Sequence, residues 1–438
     1  MGAVTTEQAK LVLNSFAMVL QNNLVTRDAV SWNEYDGEMD DRNGLQVIEQ
    51  VTPRYNVTRT VNGVKDLSAG TDGTVFGSEM FEITGTFNAN MGWGDFVKVK
   101  SIGDARESKA LLGAATSMAE KIDAYILSIA ALASADWVGD GVTSIDEWSD
   151  AALARARLKE NGVDDSELSY IFNHTDEVKL GDQIVKLPAP DEFSTSTYRE
   201  GFSGKLNGTR TMFTNQLPVL TVGTRAATGA GVVAGAAQNK DYATVAKAGA
   251  SNGLRLTQNL ACSTFAAGAT IKQGEVFTIP GVFAYDNRKQ AAVTPARLQQ
   301  FTVVADAVAD GAGLATLVIF PAMIVPGSGA GDNININTAH ATVTAAPANL
   351  AVLTFMGAAS ATLSPRLLLQ KQSINVNTVP LIMPASGTAM RRRLTKVPIS
   401  VRMWQHSDFY TGAHGVRFDV ALNANIRDRL RISRVNGS

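Results

Sequence analysis

The sequence predicts an α+β protein in which a separate all-β domain, a small barrel, is inserted into a mixed core. A long helical stretch runs from Asp104 to Ala135, and most of the chain after it carries strand signals, glycine and alanine. From about Pro218 to Ala348, short alternating segments recur between turn signals, which is typical of a compact all-β domain. The sequence contains no convincing catalytic constellation, so these patterns favour a protein whose function is structural.

Size and charge limit the classes of protein to which the chain can belong. With 438 residues it is too long for one compact core, so two or three domains are expected. Charged residues make up 18% of the chain, against about 25% in typical soluble proteins, which indicates a surface largely covered by other subunits. The net charge of -2 argues against a dedicated nucleic-acid-binding protein, but it does not exclude a shell that encloses nucleic acid without binding it tightly.

Cysteine usage and hydropathy favour a soluble chain from a reducing compartment. Cys262 is the only cysteine, so no intrachain disulfide can form. The first residues lack the basic and apolar regions of a signal peptide. The most apolar windows, Tyr125 to Ala133 and Leu314 to Val325, are too short to span a bilayer. We therefore expect no membrane partner.

Residues 1–47 are predicted to form an N-terminal arm. Thr5 to Asn23 has the pattern of an amphipathic helix, and the stretch from Trp32 to Gln46 is acidic and rich in turn residues. The apolar residues that share one face of this helix are Ala9, Val12, Phe16, Val19 and Leu20.

Residues 48–80 are predicted to form an extended two-stranded loop. Alternating strand signals run from Val51 to Gly77 around an Asn62-Gly63 turn, with little apolar content on either face. Because an isolated two-stranded ribbon is marginally stable in water, we expect this loop to lie on a neighbour.

Residues 81–135 are predicted to carry a strand from Phe81 to Phe87, followed by the long helix. Asp104 opens this helix, at the end where the helix dipole favours a carboxylate. Its apolar stripe consists of Leu111, Ala115, Met118, Ile122, Tyr125, Ile126, Ile129 and Ala133. At about 1.5 Å per residue, the helix could run the length of a domain.

The remaining segments alternate between mixed and purely β signals. Within residues 136–217, Ser144 and Glu147 form a capping box ahead of a helix that extends to Lys159, and an apolar run from Leu168 predicts a buried strand. The inserted domain, residues 218–348, has strand signals near Leu254, Glu275, Phe301 and Leu314. Residues 349–396 and 397–438 return to mixed structure, with strands near Leu367, Ile374, Val397 and Arg417.

The segment from Asp136 to Glu147 approaches the pattern of an EF-hand calcium loop. Asp136, Asp140, Gly141 and Glu147 match loop positions one, five, six and twelve, and helices are predicted on both sides. The third ligand position holds Val138, which has no side-chain oxygen, so a calcium cage would be one ligand short. A helix–loop–helix turn with a capping box explains the same residues, and we favour it over a calcium site.

Other candidates for chemistry are weaker. The segment from Gly229 to Ala234 fits the loose dinucleotide pattern G-x-G-x-x-A, but it follows no clear strand and opens no helix. Cys262 lies in a β-rich stretch, where a core role is more common than a nucleophilic one. The four histidines, His174, His340, His406 and His414, have no metal-ligand spacing. We therefore predict no catalytic residue, no cofactor and no metal.

Arg391, Arg392 and Arg393 form the only basic cluster in the sequence. The cluster could face nucleic acid, or it could pair with acidic residues of a neighbouring subunit. A solvated loop is the alternative, since charge runs are usually solvated. The sequence leaves these possibilities open.

The order of these pieces resembles that of the major capsid proteins of tailed double-stranded-DNA phages, which share the HK97 fold. Within that group the chain is most similar to coat proteins of the P22 type. Three stretches carry this closer resemblance. Thr197 to Leu220 (TYREGFSGKLNGTRTMFTNQLPVL) is similar to the segment that leads into that family's inserted β-domain. Asn337 to Val376 is similar to the segment by which the chain leaves that domain. Val401 to Gly437 is similar to the family's C-terminal strand segment.

The resemblance implies names for the predicted parts and a set of partners. The parts are the N-terminal arm (1–47), the extended E-loop (48–80), the P-domain with its spine helix (81–135), the A-domain in two pieces (136–217 and 349–396), the inserted β-domain (218–348) and the C-terminal P-domain strands (397–438). Such a protein forms pentamers and hexamers of an icosahedral head, assembled in the bacterial cytoplasm around a scaffolding protein. A portal protein occupies one vertex, and the head encloses double-stranded DNA without binding it specifically. The family has no enzymatic activity in this chain.

In such a shell the E-loop would lie across an adjacent subunit. The residues expected to supply intersubunit salt bridges there are Arg54, Arg59, Lys65, Asp66 and Asp72, with Arg391, Arg392 and Arg393 as further contacts. Each exposed pair contributes about 0–1 kcal/mol, so specificity would come from repetition around a closed shell.

Two alternatives of different classes remain at this stage. The first is another structural protein, either the subunit of a related non-viral shell or a phage tail-tube protein. The second is an enzyme, a calcium-dependent hydrolase that uses the loop beginning at Asp136. A calcium response that is lost in Asp140→Ala would support the enzyme.

Overall fold

The structure is a computed structural model of the 438-residue chain. It describes residues 6–35, 37–39, 45–54, 75–83, 85–92, 108–134, 136–139, 148–185, 205–206, 208–225, 231–239, 242–243, 254, 256–286, 289, 291–326, 340–385, 387–407 and 414–435. The α-helices in these ranges are α1 (Thr6–Asn23), α2 (Lys109–Ala133), α3 (Trp148–Glu160) and α4 (His174–Val185). In the same ranges, no helix has the length and apolar composition needed to cross a membrane.

Strands occupy more of the described chain than helices do. The first group is β1 (Ser31–Glu34), β2 (Leu45–Arg54), β3 (Val75–Ile83), β4 (Thr86–Gly92), β5 (Asp136–Val138), β6 (Leu168–Phe172), β7 (Lys205–Leu206), β8 (Thr209–Phe213) and β9 (Leu220–Thr221). The second group is β10 (Val232–Val233), β11 (Tyr242–Ala243), β12 (Thr257–Ser263), β13 (Thr270–Ile271), β14 (Val276–Phe283), β15 (Tyr285–Asp286), β16 (Ala291–Ala292), β17 (Leu298–Val303), β18 (Ala307–Val308), β19 (Ala315–Phe320), β20 (Thr354–Phe355) and β21 (Thr362–Leu363). The last group is β22 (Arg366–Gln370), β23 (Ile374–Thr378), β24 (Thr388–Arg393), β25 (Ser400–Ser407), β26 (His414–Ile426) and β27 (Ile432–Val435). Few helices and many strands in separate sheets confirm the predicted α+β class.

Sheet A is built around the long strand β26. Its order is β1-β23-β26-β25-β24, and β4 also pairs with β26. The helices α1 and α2 pack against one face of this sheet, where Phe16 of α1 stacks on Phe418 of β26 with ring centroids 4.0 Å apart. The alternation of apolar residues along β26 (Phe418, Val420, Leu422) therefore creates the surface that buries both helices.

The two helices on sheet A follow the predicted apolar spacing. Helix α1 covers the predicted range almost completely, and of its predicted apolar face only Val19 is partly exposed. Every residue of the predicted stripe on α2 is buried except Tyr125, which is half-buried. The predicted start of α2 at Asp104 is wrong, because Ser108 has an extended backbone (φ -64°, ψ 106°) and occupies the N-cap position before Lys109.

A buried carboxylate joins α2 to the end of the N-terminal arm. Asp123 lies on α2 and accepts hydrogen bonds from the backbone N–H of Val25 (2.9 Å), the backbone N–H of Thr26 (3.1 Å) and the Thr26 hydroxyl (2.6 Å). Burial raises the pKa of Asp123, and the hydrogen bonds from Thr26 and Val25 offset that shift only in part. These three donors fix where the chain turns away from α1.

The predicted single strand from Phe81 to Phe87 is wrong. The structure divides this segment between β3, which ends at Ile83, and β4, which begins at Thr86. Gly85 lies between the two strands, and its carbonyl accepts a hydrogen bond from Leu422 N–H (3.3 Å). A glycine weakens the interior of a strand, so the alternating side-chain pattern alone overestimated its length.

Sheet B has the order β5-β27-β22-β6-β8-β7. Its central strand β6 is buried at every position, which confirms the strand predicted from Leu168. At the start of helix α4, beside β6, Asn173 N–H donates to the Asp176 carboxylate (3.0 Å), which is one of the two hydrogen bonds of a capping box. Arg366 of β22 binds the same carboxylate with two hydrogen bonds (2.6 and 2.8 Å), so the buried charges of Asp176 and Arg366 are paired.

The inserted domain is a curled sheet, sheet C, with its own hydrophobic core. Its order is β10-β12-β19-β17-β14-β20, with β11 paired to β12, and Phe277, Phe301 and Leu317 are among its fully buried residues. The segment just before β20 pairs back to β10 through Val233 N–H to Ala351 O (2.9 Å), so the ring of strands closes as predicted for a barrel.

The chain enters and leaves the inserted domain at one place. Strands β9 and β21 pair antiparallel, with Leu220 opposite Leu363 and Thr221 opposite Thr362. Strand β20 follows the predicted end of the inserted domain at residue 348, yet it pairs with β14 of sheet C. The predicted limits of 218 and 348 therefore bracket most of the strands of sheet C but leave out β20.

We expect Asp123→Asn to lower the free energy of unfolding by about 1–3 kcal/mol, because the new amide N–H would face a buried N–H donor of Val25 or Thr26. Thermal unfolding measured by circular dichroism would give this difference. Glu120→Gln, an exposed change on the same helix, is the control and should leave stability within about 0.5 kcal/mol of the wild type. Equal effects of the two changes would contradict the role of Asp123.

Candidate functional site

The arginine cluster predicted as a contact site lies on β24, an edge strand of sheet A. The cluster lies on a strand rather than in a loop, because Arg391, Arg392 and Arg393 pair in register with β25. Successive side chains on a strand point to opposite faces. Accordingly, Arg391 binds Glu38 (2.8 Å) and Arg393 binds Glu34 (2.5 Å), whereas Arg392 points to the opposite side.

The two ion pairs join β24 to the N-terminal arm of the same chain. Glu34 is only 7% exposed and also accepts a hydrogen bond from the Ser400 hydroxyl, whereas Arg393 is 66% exposed. Arg391 lies within 3.5 Å of the Leu381 carbonyl as well. In the isolated chain, therefore, two of the three arginines are paired with acidic residues of their own chain.

Arg392 lines a groove between α1 and the connection from β24 to β25. The groove has a volume of about 300 Å³. Leu394 and Ala17 are buried at its base, and Met18 is exposed. The residues that line it are Ala17, Met18, Gln21, Asn22, Arg392, Leu394, Thr395 and Lys396.

The predicted E-loop is described only at its base. Strands β2 and β3 form an antiparallel ladder from Leu45 opposite Ile83 to Arg54 opposite Val75, with a register shift after Val51. At the base, therefore, the two limbs pair as an antiparallel ribbon. Arg54 ends β2, and the other predicted contact residues of the loop, Arg59, Lys65, Asp66 and Asp72, lie outside the described residues, as does the Asn62-Gly63 turn.

Polar contacts attach the inserted domain to strand β5 at the edge of sheet B. Gln300 of β17 accepts from Trp137 N–H (2.5 Å) and donates to Trp137 O (3.2 Å), so its side-chain amide satisfies the backbone of β5 as a neighbouring strand would. Arg297 forms an ion pair with Asp136 (3.1 Å) and also bonds to Asn161. This junction was not predicted from the sequence.

Arg434 is the most deeply buried charged residue of the junction. It lies on β27, donates from Nη1 to the Gly274 carbonyl of the inserted domain (2.9 Å) and stacks 4.4 Å above the Trp137 ring. No carboxylate within the described residues pairs with it, and burial lowers the pKa of Arg434 to about 9. Arg434 lies between Ser433 and Val435 in a segment of mixed polar and apolar residues, so the sequence contains no clear signal of its burial.

The calcium loop does not have the geometry that its sequence suggested. Asp136, the first expected ligand, lies in the buried strand β5, and its carboxylate binds Arg297 and Asn161. The helix–loop–helix interpretation is also wrong, because this strand, paired with β27, follows α2. Asp140, Gly141, Ser144 and Glu147 lie outside the described residues. Within the described ranges, no group of three or more acidic, histidine or cysteine side chains could hold a metal ion.

The remaining candidates for chemistry occupy structural positions. Of the segment Gly229 to Ala234, Val232 and Val233 form β10, which pairs with β12 rather than opening a helix. Cys262 is buried in β12, and burial raises the pKa of its thiol to about 12, which disfavours the reactive thiolate. His406 and His414 lie on the paired strands β25 and β26, where His414 is opposite Ser407.

Comparison with known protein families matches nearly the whole chain to one family. The family model described as P22 coat protein, gene protein 5, covers residues 50–428. A search of curated proteins finds no significant match. The chain therefore belongs to the P22 coat protein family, and its function is that of a phage major capsid protein.

Solved structures with a similar fold include three capsid-like assemblies. The capsid of the cyanophage P-SCSP1u is 10% identical, with 94% of this chain and 87% of that chain covered and a TM-score of 0.42. The capsid of Ralstonia phage GP4 is 7% identical, with 93% and 87% covered and a TM-score of 0.41. The virus-like particle from Pyrococcus furiosus is 5% identical, with 97% and 98% covered and a TM-score of 0.37. Because these TM-scores are below 0.5, the assignment rests on the family match.

The lowered pKa of Arg434 gives a prediction about alkaline stability. Because burial lowers the pKa of Arg434 to about 9, the folded chain releases this proton at a lower pH than the unfolded chain does, so stability should rise with pH above about pH 9. From about pH 8 to about pH 10, the wild type should gain about 1 kcal/mol relative to Arg434→Met. Denaturant unfolding at both pH values would measure it. Arg427→Met, a change at an exposed arginine, is the control, and its free energy of unfolding should change with pH as that of the wild type does. The same pH dependence in Arg434→Met as in the wild type would contradict the prediction.

Proposed function

We propose that copies of this chain assemble as pentamers and hexamers into an icosahedral head that encloses double-stranded DNA. The family match over residues 50–428 carries this proposal. The low charged fraction of 18% supports it, since subunits of a shell bury much of their surface against one another.

Exposed apolar side chains on the isolated chain also support assembly. An apolar side chain that is exposed on the monomer gains free energy when another subunit removes it from water. These side chains occur on the helices, on the inserted domain and beside β24. The most exposed are Met18, Leu153, Val178, Val219, Val308, Leu314, Leu350, Val352 and Ile382.

The E-loop is proposed to lie across an adjacent subunit and to contribute salt bridges there. The support is the β2–β3 ribbon, since a two-stranded ribbon is marginally stable by itself and gains from a second surface. The residues proposed for these contacts are Arg54, Arg59, Lys65, Asp66 and Asp72.

The proposed division of the chain follows the strand pairing. We keep the N-terminal arm (1–47), the E-loop (48–80), the first P-domain segment (81–135), the first A-domain segment (136–217) and the C-terminal strands (397–438). We move the end of the inserted domain from 348 to 363, so that it spans 218–363, because β20 belongs to sheet C and β21 pairs with β9. The second A-domain segment then spans 364–396.

The proposed partners are those of a coat protein during head assembly. A scaffolding protein directs assembly in the bacterial cytoplasm, a portal protein occupies one vertex, and the packaged DNA is enclosed without specific binding. The net charge of -2 supports a wall that does not grip DNA. The protein is proposed to have no enzymatic activity, because the ion pair of Asp136 with Arg297 opposes the calcium-dependent alternative.

Electron microscopy of the chain co-expressed with the scaffolding protein of its own phage tests the proposal. We expect uniform closed shells with an icosahedral lattice. If only monomers formed, although the chain was folded and the scaffolding protein was present, the proposed function would be overturned. Open tubes would instead favour the tail-tube alternative.

Replacement of the five charged E-loop residues by alanine should reduce the yield of closed shells about tenfold, because many weak contacts are lost together around the shell. The melting temperature of the monomer should change little. Shell yield is measured by sedimentation of the co-expressed protein, and the monomer by circular dichroism.

A control variant carries five alanine substitutions at exposed charges that are paired within the chain. These are Glu7, Lys10, Lys159, Asp165 and Lys371. The control should assemble like the wild type. Full assembly of the E-loop variant, or equal losses in both variants, would contradict the proposed role of the loop.

A further inference from the structure

The strand geometry of β24 gives its three arginines different roles. Arg391 and Arg393 are paired with Glu38 and Glu34 on one face. Arg392 lies on the opposite face, and no carboxylate among the described residues is paired with it. Among the described residues, the pleat of the strand therefore leaves Arg392 as the cation of the cluster without a carboxylate partner.

The groove beside Arg392 combines positive charge with an apolar base. Lys396 joins Arg392 in its lining, and none of the residues that line it is acidic. Leu394 is buried at the base, and Met18 is 45% exposed. Gln21 and Thr395 add polar groups that can form hydrogen bonds. A ligand for this groove would carry a carboxylate and an apolar side chain close together.

A protein segment fits this groove better than DNA does. A DNA duplex is a broad, convex cylinder whose phosphates would reach only the rim, and its backbone offers no apolar group to Met18. An acidic peptide can place a carboxylate between Arg392 and Lys396 while an apolar neighbour covers Met18 and Leu394. Charge complementarity and the apolar base therefore point to the same kind of occupant.

We propose that the groove between α1 and the β24–β25 connection binds an acidic, partly apolar segment of a second copy of this chain. Arg392 and Lys396 hold the carboxylate, and Met18 contacts the apolar side chain. This inference rests on the proposed function, since copies meet in the assembled shell. It identifies Arg392, rather than the whole arginine cluster, as the contact residue between copies.

Charge reversal at Arg392 tests the proposal. Arg392→Glu should reduce shell yield about tenfold or more, because a like charge would face the incoming carboxylate, and Arg392→Gln should reduce it less. Lys289→Glu is the matched control, because it also reverses one positive charge, at an exposed lysine of the inserted domain. This variant should assemble normally. Monomer melting curves for all variants show whether the chain remains folded.

The outcomes separate this inference from the proposed function. Shells of wild-type protein together with normal yield of Arg392→Glu would overturn the groove contact and leave the proposed function intact. Absence of shells from the wild type would overturn the proposed function itself. If Arg392→Glu formed shells normally but those shells retained less packaged DNA, the groove would be a contact for DNA phosphate. That result would also overturn the proposal.

Photo-crosslinking identifies the occupant directly and does not depend on yield. A photoreactive amino acid in place of Met18 in wild-type shells should give an adduct of two coat chains, with the crosslinked peptide rich in Asp or Glu. An adduct with the scaffolding protein, or no coat–coat adduct in intact shells, would overturn the proposal.

Discussion

Strand β26 pairs with three strands, of which β25 immediately precedes it in the chain, β23 lies farther upstream and β4 comes from the first quarter of the sequence. β4 binds it along Gly415 to Ala421, β25 along His414 to Asp419, and β23 along Leu422 to Ile426. Its other contribution is an apolar face, on which Phe418 stacks with Phe16 of α1. Because backbone pairing and helix packing both use this strand, the arm and the C-terminal segment can form only together with sheet A.

The N-terminal arm is held to this core by contacts that differ in kind. Its helix α1 is held by burial of an apolar face, and the turn after it by three hydrogen bonds to Asp123. Farther along, β1 adds to the edge of sheet A, and Glu34 and Glu38 pair with the arginines of β24. A shell subunit whose arm is fixed in this way presents the groove beside Arg392 at a defined position, because α1 and β24 both form its walls.

The inserted domain has its own core but is joined to sheet B by polar side chains. Gln300 completes the hydrogen bonding of Trp137, and Arg434 reaches from β27 to the Gly274 carbonyl. Contacts of this kind are directional, so they fix the orientation of the domain in a way that a purely apolar interface does not. Arg434 is buried without a carboxylate partner among the described residues, and its charge is offset in part by the face of the Trp137 ring.

The sequence by itself determined the class of the fold and the elements with strong periodicity. The apolar spacing placed α1 and the buried stripe of α2, the alternation and composition of the middle of the chain indicated the barrel, and the family resemblance led to the coat protein assignment. These features depend on local patterns of residues, which a linear sequence contains.

Only the tertiary structure decided which charged residues form ion pairs within the chain. Arg391, Arg392 and Arg393 are consecutive residues of the same type. They differ in the face of β24 on which they lie, since Arg392 lies on the face opposite the other two. Asp136 has the residue type of a calcium ligand, but the fold brings Arg297, far along the chain, against it. Electrostatic pairing acts over distances in space rather than along the chain, so no local pattern could reveal these partners.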